Sequence, residues 1–211
     1  MGWLADKMMK WEASIDRRAG SGAGCRVTRG WTDLRDDLAR IAEWSLQAQR
    51  RLSTEVPDEQ PRCEIMLERS CVFTEEFGDT DIVAMRDLYR ETGSPETVLE
   101  AMRENPDRFG DPFVDGDAII EIRRPRDPEA FSAATTPRER QIAACYCPLV
   151  RETRAPFPLE YCCCSAGWYK GVYEGIFGAP AEVRVEESIL SGSMICRFSI
   201  RIPGVLGEHG S

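Results

Sequence analysis

Five of the nine cysteines in the 211-residue chain, Cys145, Cys147, Cys162, Cys163 and Cys164, fall within residues 141–180, together with four of its five tyrosines. Thiols at this density can serve as thiolate nucleophiles or as soft metal ligands, and either use needs a site that gathers sulfur atoms. The single histidine, His209, stands in the last three residues and reads as solvated. A proton acceptor or donor for a cysteine nucleophile therefore comes from a carboxylate, a tyrosine, a lysine or water. Tyr169, Lys170, Tyr173 and Glu174 are near in sequence.

Two antiparallel strands over 145–150 and 159–164 bring the thiols onto one face if Cys145 opposes Cys164 and Cys147 opposes Cys162. Tyr146 and Cys163 then take the other face. Ser165 caps the helix that follows. Cys164 and Cys163 stand beside its unsatisfied N–H groups, where a thiol ionises below its ordinary value of roughly 8.5. In this reading Cys164 or Cys162 is the nucleophile, Tyr169, Lys170 and Glu174 supply the acid or base, and Cys145, Cys147, Cys163, Trp168 and Tyr173 line the ligand. No cofactor follows with certainty from these residues. One alternative is zinc or another thiophilic metal on Cys145, Cys147, Cys162 and Cys164, although C-x-C and C-C-C differ from the usual C-x-x-C knuckle. Another is plain burial of small apolar thiols. Cys196 reads as packing, Cys25 and Cys63 as structural or incidental, and Cys71 stands between packing and function.

The elements that position these residues form two regions and a tail. Residues 1–110 read as helical: Leu4, Met8, Trp11 and Ile15 share a stripe, Thr32 caps a helix with Leu34, Leu38, Ile41 and Ala48 on one face, and further helices cover 62–73 and 80–91. Ser94 and Pro95 open another helix, which Asn105-Pro106 ends. Residues 111–205 form a cysteine-rich α+β region. Here "DGDAIIEIRRP" gives a turn and a strand at 118–122, "SAGWYKGVYEGIFG" a helix ending at Gly178, and "AEVRVEES" and "MICRFSIRI" an antiparallel hairpin. Asp115 and Asp117 read as turn residues, and Arg123, Arg124 and Arg126 as a solvated edge. Gly167, Gly171 and Gly175 form a bare helical stripe suited to close packing. Residues 206–211 read as a flexible tail.

A net charge of −9 argues against nucleic acid and anionic membrane as partners. With no signal-like or membrane-spanning run, the expectation is a cytoplasmic protein whose thiols stay reduced, so a disulfide framework is not anticipated.

From Cys162 onward, "CCCSAGWYKGVYEGIFGAPAEVRVEESILSGSMICRFSI" resembles the closing module of 4-vinyl reductase type domains and of the related L-2-amino-thiazoline-4-carboxylic acid hydrolase-like proteins. The likeness rests on the glycine-bearing helix, Gly178, the Glu-rich strand, Gly192 and Cys196-Arg197-Phe198 with Ile200. It covers the last 40 to 60 residues or so. The resemblance implies an α+β small-molecule-binding fold, often homodimeric and bacterial, that in some relatives senses hydrophobic ligands and in others opens a cysteine-derived heterocycle. Ser193 stands where relatives carry an acid, and no histidine-bearing metal site carries over. The function expected is a cysteine-dependent enzyme acting on a thiol, thioester or sulfur-containing heterocycle; the alternative is a non-catalytic small-molecule, metal-binding or redox-sensing module.

Overall fold

A computed structural model describes residues 2–34, 37–70, 80–153 and 155–206; Cys71, His209 and the side chain of Leu4 lie outside what is described. Helices fill most of the first region: α1 (Gly2–Ala19), α2 (Ala23–Thr28), α3 (Leu38–Glu55), α4 (Glu59–Arg69), α5 (Thr80–Thr92), α6 (Pro95–Arg103) and the single turn α7 (Pro106–Phe109). The Ser94 hydroxyl accepts a hydrogen bond from Thr97 N at 3.2 Å and Pro95 occupies the first turn, so α6 starts where its capping residues dictate. The helix expected from Thr32 begins later. Trp31–Asp33 forms a 3-10 turn, and the Asp37 carboxylate caps α3 by accepting from Arg40 N.

The second region holds β1 (Phe113–Asp115), β2 (Ala118–Arg123), β3 (Glu182–Glu187) and β4 (Cys196–Arg201), joined in one antiparallel sheet of order β1-β2-β4-β3. The architecture is thus α+β. β3 and β4 form the expected hairpin, with Val183 opposite Ile200 and Val185 opposite Phe198. Asp115 and Asp117 flank the turn at Gly116 and pair with Arg197 and Arg201 of β4.

The strands expected at 145–150 and 159–164 are absent. Between β2 and β3 the chain instead forms α8 (Pro128–Ala133), α9 (Pro137–Ala144), α10 (Pro148–Glu152), a 3-10 turn at Leu159–Cys162 and α11 (Cys163–Phe177). Thr136 and Glu139 form a reciprocal capping box around Pro137. Pro148 has no N–H for a sheet ladder and starts α10, which breaks the apolar run that read as a strand. Arg138 then ties α9 to the end of α10 through the carbonyls of Val150 and Thr153. Ser165 is not the cap of α11: the 3-10 turn feeds directly into the helix, which begins two residues earlier and places Cys163 and Cys164 inside its first turn.

α11 is the spine of the molecule. Cys163 and Cys164 belong to a core built from α1–α4, α10 and residues 157–161, in which Trp11 and Trp44 meet edge to face at 6.2 Å. From Ala166 to Phe177 the same helix packs on α6 and on Ile119, Phe198 and Ile200 of the sheet. The glycine stripe explains its approach to α4 and α5. A Cβ on Gly167 would stand 2.0 Å from the Leu67 carbonyl oxygen, and one on Gly175 would stand 2.9 Å from Ile82 Cγ2, whereas Gly171 faces open space.

Candidate functional site

Gly167 and Leu67 each lie one turn along from a cysteine, and the close approach of α4 and α11 brings Cys63 and Cys163 to a Cα separation of 5.3 Å, within disulfide reach. They are joined. The expectation of reduced thiols therefore fails at this pair, for a tertiary reason that no local pattern displays, and Cys163 is a buried crosslink rather than a ligand-lining thiol.

The inner face of α11 runs through Cys162, Ala166, Tyr169 and Tyr173, which recur at three- and four-residue spacing. It lies over β2 and β4, where register pairs Glu121 with Phe198 and Arg123 with Cys196. A polar seam crosses this otherwise apolar interface. The Tyr173 hydroxyl donates to Glu121 Oε1 at 2.6 Å, Arg123 Nε donates to the Tyr169 hydroxyl at 2.8 Å, and Arg123 Nη2 donates to the Arg108 carbonyl at 3.1 Å. Gly110, at φ 83°, lets the backbone close over these groups; a Cβ there would stand 3.0 Å from Glu121 Oε2 and 3.4 Å from Arg123 Cζ.

Glu121 is fully buried, and its Oε2 has no hydrogen-bond partner among the described residues. Desolvation dominates there. It pushes the carboxyl up to about 8, against the opposing pull of the Tyr173 hydrogen bond and the Arg123 charge, while Asp111 adds to the rise. Burial also holds the Tyr173 and Tyr169 hydroxyls well above the ordinary phenol value. For Arg123, burial works against the charge, but Tyr169 and Glu121 outweigh it and the guanidinium is held more firmly protonated than usual.

At the other end of the seam Cys145, Cys147, Cys162 and Cys196 are near enough to influence one another's ionisation. Cys162 Sγ lies 2.9 Å from the buried Ser188 Oγ, and Ser188 also favours the ionised form of the Cys196 thiol. Cys145 and Cys147, at the junction of α9 and α10, complete the group. Burial first, and then the neighbouring Cys196, Cys145 and Cys147, drive the Cys162 thiol well above its ordinary value. Burial, with Cys147 and Cys196, pushes Cys145 up to about 12. Cys196 is raised by burial too, partly offset by its bonds to Ile189 and Ser188. Thiol chemistry lowered by the start of a helix is thus not what this geometry provides. Desolvation and mutual repulsion outweigh the helix dipole at Cys162. Tyr146, 53% exposed, lies between the first two cysteines, with the Arg123 guanidinium 5.8 Å from its ring centroid, and marks where the seam reaches the surface.

Of the residues singled out by sequence, Cys145, Cys147, Cys162, Tyr169 and Tyr173 are brought to the seam. Cys164 is buried in the core with α1–α4, against which Cys145 and Cys147 also pack, and Cys196, read as packing, stands near Cys162. The four-cysteine metal set of Cys145, Cys147, Cys162 and Cys164 is accordingly not assembled. Among the described residues no group of three or more His, Cys, Asp or Glu is placed to hold a metal ion. Lys170 and Glu174 do structural work instead: Lys170 Nζ donates to Glu174 Oε1 and to the Ala181 carbonyl, both at 2.6 Å, and Ala181 N donates to Glu174 at 3.0 Å, which latches the end of α11 to the start of β3. Trp168 packs at the side, 4.8 Å from the Tyr169 ring and 5.8 Å from Arg108.

Glu121, Arg123 as an inward residue, and Ser188 escaped the sequence reading. The signal for Glu121 was present. In "AIIEIR" it shares parity with Ile119, so a strand buried on that face must carry the carboxyl inward.

No family model, curated protein or solved structure matches the chain. Among the described residues no helix is long and apolar enough to cross a membrane.

Proposed function

We propose that this chain is a small-molecule-binding module in which the thiols of Cys145, Cys147, Cys162 and Cys196 respond to a soft or oxidising ligand that reaches them beside Tyr146. The observation that carries this reading is that Cys145, Cys162 and Cys196, all outside the disulfide, lie near enough for the charge of one to oppose that of another, while burial opposes the ionisation of all three, with Cys147 beside them. A protonated thiol is a weak nucleophile. Oxidation to a disulfide, which passes two protons and two electrons to an oxidised thiol or peroxide, starts from the thiolate, so this burial keeps the thiols reduced until a ligand that reaches them displaces a proton. Arg123 supplies a fixed positive charge for an acidic group on the ligand. The likeness to 4-vinyl reductase type domains supports the same reading.

A cysteine-dependent enzyme acting on a thiol, thioester or sulfur-containing heterocycle is the second reading, and Glu121 favours it. A carboxyl near 8 keeps its proton at neutral pH and can both give and take it. Its nucleophile would be Cys162.

Alkylation by iodoacetamide at pH 7.5, followed cysteine by cysteine by mass spectrometry, separates the two. Exposed Cys25 is the internal reference. The binding reading expects Cys145 and Cys162 to react at least a hundredfold more slowly than Cys25 in the native protein and at the same rate after unfolding. Faster reaction at Cys162 than at Cys25 overturns it in favour of the enzyme.

A further inference from the structure

Strand β3 is an edge. It pairs with β4 on one side and borders a cavity of about 740 Å³. Residues 183–188 all line that cavity. Successive residues of a strand point to opposite faces, so a space lined by both parities runs along the edge itself, where alternate backbone N–H and C=O groups turn outward. Across from β3 stand α4, with Glu59, Glu64 and Leu67, and the first turns of α11, with Cys163 and Ala166. An open strand edge facing a helix across a groove has the shape that accepts an additional strand.

We infer that this groove binds an extended basic segment of another protein, added to the sheet beside β3. Main-chain hydrogen bonds from β3 supply the pairing, and Val183, Val185, Leu67 and Ala166 receive alternate apolar side chains. Charge selects the occupant. Five glutamates border the groove; Arg62 pairs with the buried Glu160 at 2.7 Å and Arg18 faces Glu64 at 3.4 Å, which leaves Glu59, Glu186 and Glu187 against Arg184, so lysine or arginine on the outward positions of the guest meets opposite charge. A second copy of this chain is a poorer guest, because its own β3 carries Glu182, Glu186 and Glu187 and each molecule has a net charge of −9. The six residues of β3 match a guest of about 20 Å at ~3.3 Å per residue. This inference is independent of the thiol chemistry proposed above.

The test uses a capped hexapeptide of alternating lysine and valine with a fluorescein tag. Its counterparts are an equally charged version interrupted by proline, which cannot complete a ladder, and a glutamate-valine version. Fluorescence anisotropy should show saturable binding of the first and at least tenfold weaker binding of the other two. The double variant Glu186→Lys, Glu187→Lys should weaken the first about tenfold while circular dichroism confirms an intact fold. Hydrogen exchange should slow at amides of residues 182–187 when the peptide is bound. Absence of binding, equal binding of the proline-interrupted peptide, or slowed exchange confined to other segments overturns the proposal. A concentration-dependent dimer that takes up no peptide also overturns it, since a second copy then covers the edge.

Discussion

Replacing Glu121 by glutamine removes a proton-binding site of the folded interior while keeping the side chain's size and its acceptor for the Tyr173 hydroxyl. The carboxyl is raised from an ordinary 4.5 to about 8. Below pH 4.5 both folded and unfolded chains hold this proton, and burial of the neutral acid carries no ionisation cost. Between 4.5 and 8 the unfolded chain releases the proton while the folded chain retains it, so stability falls as pH rises. Above 8 the loss is complete. At 1.36 kcal/mol per pH unit the full span is worth about 5 kcal/mol. Urea unfolding, followed by tryptophan fluorescence at steps from pH 5 to pH 9, should therefore show Glu121→Gln gaining on the parent protein by about 4 kcal/mol between pH 5 and pH 8 and holding that gain above it. The difference between the two proteins isolates this one group from all others that titrate. If the two stability curves run parallel across that range, Glu121 ionises as freely folded as unfolded, and the account of the seam as a desolvated site is wrong.

Tyr173→Phe should move the pH of that stability loss further upward, because the hydroxyl donates to the carboxylate and favours its charged form; an unchanged midpoint would show that the bond does not bear on ionisation. Gly167→Ala should lower the unfolding free energy by at least 2 kcal/mol, since its new Cβ meets the Leu67 carbonyl, whereas Gly171→Ala, which meets nothing, should raise it by up to ~1 kcal/mol through helix propensity; thermal unfolding of the two variants should shift in opposite directions. Cys63→Ser opens a crosslink between residues 100 apart and should cost roughly 4 to 5 kcal/mol in urea, a loss that added reductant reproduces in the parent protein and does not deepen in the variant.

The parts of the fold that were legible are those governed by neighbours in sequence. Ser94-Pro95 set the start of α6, the left-handed Gly178 set the end of α11, and alternation in 182–187 and 196–201 set the hairpin. The short helices between β2 and α11 were not legible from periodicity, since eight residues or fewer give a helical pattern too few turns to declare itself. Their caps were nonetheless written in Thr136-Pro137 and Pro148. The face on which Cys145, Cys147, Cys162 and Cys164 were expected needed two paired strands, which these segments do not form. Cys196 was missed because its place depends on the pairing of β4 with β2, which sets it opposite Arg123. The Cys63–Cys163 bridge joins cysteines 100 residues apart on two helices that touch where Gly167 meets Leu67, and no local pattern encodes that.

Stability alone does not account for the polar seam. Glu121 and Arg123 occupy positions on the sheet face that elsewhere carries Ile119, Phe198 and Ile200, where isoleucine or leucine would bury comparable area without desolvating a carboxyl. The fold does not offset the cost at Glu121 with full pairing, for one of its oxygens is left without a bond among the described residues. It further requires a glycine at 110, in a left-handed backbone, to make room for both side chains. The thiol end repeats the pattern: sulfur atoms whose ionisation burial opposes are also set where each one's charge would oppose that of the next. Groups held in their neutral forms by surroundings of this kind are sensitive to any charge added beside them, and the exposed ring of Tyr146 marks where the seam reaches the surface.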